Sequence, residues 1–162
     1  MILESLAYKK IKIFYSDRFA KRSKVPLINH IDEGLLILDY LGVDSLVKDA
    51  FCLHPLFQDS EELVNTINDS DYNLIDVKSI ILTMEYRHVA NSFLSGKKKE
   101  NMLPLINEDV AVMLVADKVQ NYKDFLTYHK DTHKNSKRLD AYFNEWFDVL
   151  NIDYNEIVSK VF

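Results

Sequence analysis

The sequence predicts an all-α protein, built as a bundle of seven or eight helices. Only three glycines and three prolines occur among 162 residues, and so few chain breakers favour long helices over a β fold with many turns. Apolar residues also recur at helical spacing, as at Ile31, Leu35 and Leu38. The length suits one domain with its own core, so we expect a single domain over residues 1–162.

Breakers and caps divide the first third of the chain into three helices. A half-buried, lysine-bearing helix ends before Pro26, because the residue that precedes a proline avoids the helical conformation. A second helix ends at Gly42, a residue favoured just past helix ends. Asp44 is a suitable cap for a third helix, which we expect to end or kink at Pro55 because proline has no N–H. These helices span residues 3–22, 28–41 and 44–55.

The rest of the chain predicts five more helices. A short acidic helix is followed by a long one that carries Ile81, Met84 and His88 at helical spacing. An exposed basic loop, 95–100, precedes a largely buried helix that Asn107 caps. The predicted spans are 60–67, 75–94, 108–128, 136–150 and 154–161.

Composition excludes several classes of function. The net charge of −5 argues against a general nucleic-acid binder. The single cysteine, Cys52, cannot form an internal disulfide, which fits a reducing compartment. We expect no membrane span and, from residues 1–5, no signal peptide, and therefore a cytoplasmic protein. The acidic, lysine-rich and tyrosine-rich composition is typical of a bacterial or phage protein of low-GC origin.

Two histidines and one aspartate are the candidate functional residues. His54 follows an apolar run, His30 lies in the first turn of the second helix, and Asp117 lies within a buried helix. A carboxylate in apolar surroundings requires a partner. Neutral imidazoles with a carboxylate form a ligand set suited to Mn²⁺, Fe²⁺ or Zn²⁺. We therefore predict that the three residues converge, although each histidine taken alone also fits a cap or core role.

The residues around these three positions resemble the HD-domain phosphohydrolases, and among them the RelA/SpoT-type hydrolase domain with its small stand-alone members. The resemblance covers about residues 14–125, leaving the helices over 136–161 beyond it. Residues 114–121, Leu-Val-Ala-Asp-Lys-Val-Gln-Asn, are its most specific part. That family binds one Mn²⁺ and hydrolyses the 3′-pyrophosphate of guanosine tetraphosphate and pentaphosphate.

The resemblance implies a role for each matched residue. His30, His54 and Asp117 correspond to metal ligands, with Mn²⁺ as the expected cofactor. Gln58 and Asp59 stand where the family has a Glu-Asp pair that helps to position the attacking water, so they are the candidate catalytic residues. The residues implied to contact substrate are Arg22, on the guanine base, and Lys24, Asn29, Lys118 and Asn121.

The chain departs from the family pattern at the metal site. Pro55 replaces the aspartate of the family's His-Asp dipeptide, and Gln58 is an amide in place of an acid. Asp17 stands where the family usually has a histidine. Proline cannot ligate a metal through its side chain, so the affinity for Mn²⁺ should fall. Another divalent metal, or none, is therefore the alternative.

Two functions remain open from the sequence. The first is metal-dependent hydrolysis of a phosphorylated purine nucleotide, for which the resemblance implies guanosine tetraphosphate. The second is a catalytically inactive protein that binds a nucleotide or a protein partner, as a sensor, a sponge or a phage-type host-interaction protein. The expected partner is a small-molecule nucleotide, with a homodimer as a further alternative.

Three other features have ordinary structural interpretations. His129 and His133 lie one helical turn apart in a polar stretch, and we expect a solvated surface there. Residues 97–99 are three lysines, for which solvent exposure is also the first expectation. An apolar stripe near the end of the chain predicts core packing, with a dimer contact second; its residues are Phe143, Trp146, Phe147 and Leu150.

Overall fold

The computed structural model describes residues 2–94 and 107–162 and confirms the all-α prediction. Within those ranges there are eight α-helices, two short 3₁₀ helices and no strand. The helices are α1 Leu6–Tyr15, α2 Ile28–Tyr40, α3 Ser45–Gln58, α4 Ser60–Ile67, α5 Val77–Leu94, α6 Glu108–Tyr128, α7 Ser136–Leu150 and α8 Tyr154–Val161. The predicted basic loop over 95–100 lies outside the described residues. None of these helices is both long and apolar enough to cross a membrane.

Side-chain caps begin five of the helices. Ser5, Asp44, Asp59, Asn107 and Asp153 each accept a hydrogen bond from one or two backbone N–H groups in the first turn that follows. Those N–H groups have no partner within the helix itself, so each cap stabilises its helix start, by about 1 kcal/mol in typical cases. The predicted caps at Asp44 and Asn107 are confirmed.

The first helix is shorter than the predicted span of 3–22, because α1 ends at Tyr15. The chain turns at Ser16, which has a positive φ of 28°. Ser-Asp sequences favour turns because their side chains compete for backbone hydrogen bonds. The segment 16–27 then folds back on itself through an antiparallel bridge between Phe19 and Pro26. This segment lies beside the cavity described below.

Of the two alternatives predicted for the third helix at Pro55, an end or a kink, the end is wrong, because the helix continues to Gln58. Proline lacks the N–H that would bond to the carbonyl four residues earlier, which belongs to Phe51. That carbonyl instead lies 2.6 Å from Nδ1 of His54. A side chain thus supplies the hydrogen bond that Pro55 cannot, and the helix passes through the proline.

Helix α3 lies at the centre of the bundle, in contact with α1, α2, α4, α5 and α6. Its residues 50–53 are fully buried. Helix α2 approaches it closely at Gly34, where a Cβ would collide with the Phe51 ring. The C-terminal stripe also joins the core as predicted, since Phe143, Trp146 and Phe147 are buried.

Helix α5 buries a face that is partly polar and exposes the three residues named for its helical spacing. Ile81, Met84 and His88 are exposed. The inward face instead includes Ser79 and Thr83, whose hydroxyls donate to backbone carbonyls of α3. Small polar side chains with partners on the neighbouring helix allow close packing, and they share the core face of α5 with Leu82, Tyr86 and Val89.

Candidate metal centre

The structure brings together the three predicted ligands from three helices. His30 lies on α2, His54 on α3 and Asp117 on α6, and their ligand atoms all lie within 4.8 Å of one another. Nε2 of His30 is 3.2 Å from Nε2 of His54 and 3.5 Å from Oδ1 of Asp117. Nε2 of His54 is 4.0 Å from the same oxygen. Two imidazole nitrogens and one carboxylate oxygen therefore face a common point.

A buried glutamine orients His30. Gln120 is fully buried, and its Nε2 donates to Oε2 of Glu33 at 3.0 Å. Lys123 lies 3.0 Å from the same glutamate oxygen, which keeps Glu33 an acceptor. The amide oxygen of Gln120 must then face His30, whose Nδ1 lies 2.6 Å away. Nδ1 of His30 is therefore the protonated nitrogen, and Nε2 carries a free lone pair.

His54 has the same tautomer for a different reason. Its Nδ1 donates to the backbone carbonyl of Phe51 at 2.6 Å, so its Nε2 also presents a lone pair. The ring is buried between Phe51 and Tyr86. Burial, together with a smaller effect of the neighbouring His30, lowers the pKa of His54 to about 3. His54 is thus a neutral imidazole at ordinary pH.

When both rings are neutral, the two Nε2 lone pairs meet at 3.2 Å. Two acceptors at hydrogen-bond distance repel each other unless a cation or a proton lies between them. Together with Asp117 they form an N,N,O donor set, which suits Mn²⁺, Fe²⁺ or Zn²⁺. Three protein ligands leave coordination positions open, as in catalytic rather than structural sites. The residues present therefore fit a divalent metal.

Asp117 is held in place by its neighbours on α6. Lys118 Nζ donates to its Oδ2 at 2.6 Å, and Asn121 Nδ2 donates to its Oδ1 at 2.8 Å. Burial alone would raise the pKa of Asp117, but the positive charge of Lys118 and its hydrogen bond hold it well below its usual range. Burial conversely lowers the pKa of Lys118, and the Asp117 carboxylate outweighs this and raises it. The two residues form a buried ion pair.

A cavity of about 550 Å³ opens over the three ligands. Of the other predicted site residues, Arg22, Gln58, Lys118 and Asn121 line it. Its polar lining comprises Tyr15, Arg22, Ser23, His30, His54, Gln58, Tyr86, Asp117, Lys118, Gln120, Asn121, Asp124, His129, His133 and Tyr142.

Three predicted site residues are absent from the lining of this cavity. The Asp59 carboxylate accepts the N–H groups of Glu61 and Glu62 and so serves as the cap of α4. Lys24 is exposed and has a positive φ of 61°. Asn29 is half-buried in the first turn of α2.

Several residues at the site were not predicted. Gln120 was missed, although it lies three residues after Asp117, on the same side of a helix. His129 and His133, expected on a solvated surface, are partly exposed but also belong to the cavity. Helix α6 ends at Tyr128, and both histidines are half-buried and line the cavity.

Comparison of the chain with protein-family models, with curated proteins and with solved structures finds no match. The chemistry of the site is therefore inferred from its own residues. They provide three metal-type ligands, one of them in a buried ion pair, and a cavity within the size range of small-molecule sites.

Proposed function

We propose that this chain is a metal-dependent phosphohydrolase of the HD type that acts on a phosphorylated purine nucleotide. The observation that carries the proposal is the pair of Nε2 lone pairs of His30 and His54, which face each other and the carboxylate of Asp117. The first substrate to test is guanosine tetraphosphate, because the sequence resembles enzymes that hydrolyse it.

Hydrolysis fits the chemistry of a three-ligand site. A divalent ion held there would polarise a phosphoryl oxygen and lower the pKa of a water molecule near neutrality. His30 and His54 are held with their lone pairs inward by bonds to Gln120 and the Phe51 carbonyl, so the donor atoms need not reorganise. Such preorganisation supports a catalytic role.

The charge balance supports an anionic substrate. Lys118 pairs with Asp117, so the one carboxylate among the ligands is already neutralised. Imidazoles that ligate a metal are neutral and add no charge. The charge of a divalent ion would therefore not be offset by its ligands, and a phosphate group would be attracted to it.

The cavity also offers surfaces for a base. Aromatic rings of Tyr15, Tyr86, Tyr142, Phe125 and Phe143 line it. Purine bases stack well on aromatic side chains, without strong sequence preference. Burial raises the pKa of Tyr86 well above its usual range, and the Asp117 carboxylate raises it further, so this ring stays an uncharged phenol.

A second function is favoured by the placement of the two candidate catalytic residues. Gln58 lines the cavity but is an amide, and Asp59 caps α4 away from the cavity lining. Neither supplies a free carboxylate to take a proton from water. The alternative is therefore a catalytically inactive protein that binds a nucleotide, or a protein partner, through the same surface.

The experiment that tests the proposal measures metal content and turnover together. We expect about one divalent metal per chain by mass spectrometry of the purified protein, and pyrophosphate release from guanosine tetraphosphate that depends on added Mn²⁺. The matched variants are His54→Ala, which removes a ligand, and His88→Ala, which removes an exposed histidine outside the site.

The outcomes separate the two functions. Metal-dependent turnover that is lost in His54→Ala and kept in His88→Ala supports the hydrolase. Nucleotide binding without turnover, at any metal concentration, supports the inactive alternative. Turnover that survives His54→Ala contradicts the assignment of the metal ligands.

A further inference from the structure

Four of the chain's five histidines line one cavity. His30 and His54 lie at its inner end, where His54 and Asp117 are buried. His129 and His133 are half-buried and line the same cavity as the exposed Arg22, whose charge acts on His133; we call this exposed side the outer end. His133 also differs from the inner histidines in the hydrogen-bonding group that it presents.

His133 has the reverse tautomer of the inner histidines. The backbone N–H of Asn135 donates to its Nδ1 at 3.0 Å. A nitrogen that accepts a hydrogen bond carries no proton, so the ring is neutral and its hydrogen lies on Nε2. The inner rings thus present lone pairs, which bind cations, whereas His133 presents an N–H donor, which binds anions.

Positive charge surrounds this donor. Partial burial lowers the pKa of His133, and the charges of Arg22, His129 and Lys134 lower it further. In the described parts of the chain, no carboxylate forms an ion pair with Arg22. Asp124 also lines the cavity, and its carboxylate shares Lys123 with Glu33, at 3.4 Å and 3.0 Å. Cations brought together without an acid between them are stabilised by a bound anion.

We propose that Arg22 and His133, with His129 beside them, form a subsite for a phosphate or pyrophosphate group at the outer end of the cavity. The bound molecule then carries two anionic groups, one directed to the inner triad and one to this subsite. That the occupant is part of a substrate rests on the proposed function, whereas the anion subsite itself does not. In this arrangement Arg22 binds an anion and not the face of a base.

The test uses metal-free protein, from which the chelator has been dialysed, and inorganic pyrophosphate as the probe. Without a metal, the inner end offers an anion only lone pairs and an aspartate whose cation, Lys118, is already paired with it, so calorimetry reports the outer end. We expect Arg22→Gln and His133→Phe each to weaken pyrophosphate binding by about tenfold or more, since each removes a hydrogen bond to a charged group. Lys130→Gln is the matched control: it removes a cation from the same turn, outside the cavity lining, and should change binding less than about twofold.

Side-chain ¹⁵N spectra of the histidines locate the two ligands separately. Pyrophosphate should shift the resonances of His133 and leave those of His30 and His54 in place, while Zn²⁺ should do the reverse. Absence of pyrophosphate binding, or equal affinity in Arg22→Gln, His133→Phe and Lys130→Gln, contradicts the subsite. If Zn²⁺ shifts neither His30 nor His54 while the pyrophosphate results hold, the proposed function fails and the subsite stands.

Discussion

Gln120 holds the His30 ring in one orientation toward His54 and Asp117. It is fully buried, and its amide bridges the His30 ring and the Glu33 carboxylate. Groups that hold a metal-binding histidine through its other nitrogen fix the ring's tautomer and orientation. The amide therefore acts on the candidate metal through His30, as a positioning residue.

Substituting Gln120→Met should weaken metal binding while keeping much of the buried volume. His30 loses the acceptor for its Nδ1–H, so we expect metal affinity to fall by about 10- to 100-fold. The check is a calorimetric titration of metal-free protein with Zn²⁺, with histidine ¹⁵N spectra to follow the His30 tautomer. Unchanged affinity, with the His30 tautomer also unchanged, would rule out the positioning role.

The convergence of the three candidate ligands could be predicted from the sequence, but their tautomers could not. His54 follows an apolar run, and Asp117 lies within another. Both are recognisable from the sequence because buried polar groups require partners. Which nitrogen carries the proton depends on acceptors brought in by other residues, such as the Gln120 amide, 90 positions from His30. The role of His133 depends in the same way on a local turn that helical spacing did not indicate.

At the scale of the element, α3 is unusual because Pro55 lies within it and next to a candidate ligand. The missing N–H frees the carbonyl of Phe51, and His54 uses that carbonyl to orient its ring. Pro55 thus takes the place of a ligand in the family pattern, but it also allows the His54 ring to be held in a fixed orientation. The helix gives up a backbone hydrogen bond and gains a fixed imidazole.

Pro55→Ala should therefore stabilise the protein and weaken the metal site. Alanine restores the N–H and suits a helix better than proline, so we expect the free energy of unfolding to rise by about 1 to 3 kcal/mol. The new N–H competes for the Phe51 carbonyl, so metal affinity should fall, by up to about tenfold. Urea unfolding and Zn²⁺ titration measure the two effects.

A control separates this effect from a general consequence of losing a proline. Pro26→Ala removes a proline from the segment before α2, where the change acts on the flexibility of the unfolded chain. We expect no gain in stability there. If Pro55→Ala gained stability with metal affinity unaltered, the link between the proline and the His54 ring would be refuted.

Helix positions were more predictable than helix faces. The bounds of α4, α7 and α8 match their predicted spans because caps and breakers act locally. The face of α5 was not predictable from apolar spacing, since Ser79 and Thr83 face inward through hydrogen bonds to α3. The early end of α1 likewise reflects the turn at Ser16.

At the scale of the whole molecule, burial of an uncharged histidine at the centre of the bundle makes folding sensitive to acid. The pKa of His54 is about 3 in the folded chain, against about 6.5 when it is exposed in the unfolded chain. Between those values the unfolded chain takes up a proton that the folded chain does not. The stability that the neutral His54 ring contributes to the folded chain is therefore fully present above about pH 6.5 and is lost as the pH falls towards 3. The lowered pKa of Asp117 acts in the same direction at still lower pH.

As the pH falls well below 6.5, the free energy of unfolding of the metal-free protein should decrease by about 1.4 kcal/mol per pH unit because of His54. Urea unfolding at about pH 7 and about pH 5 measures the loss. His54→Leu should flatten the dependence, and His88→Gln, at an exposed site, should leave it as in the wild type. A His54→Leu variant with the full wild-type dependence would show that other groups cause it.

The central claim is that His30, His54 and Asp117 bind one divalent metal. The most direct measurement is anomalous X-ray diffraction from crystals grown with Mn²⁺. We predict one strong anomalous peak in contact with Nε2 of His30, Nε2 of His54 and the carboxylate of Asp117, and its loss in crystals of the His54→Ala variant. A peak elsewhere, or none at saturating Mn²⁺ or Zn²⁺, would contradict the metal site and with it the hydrolase.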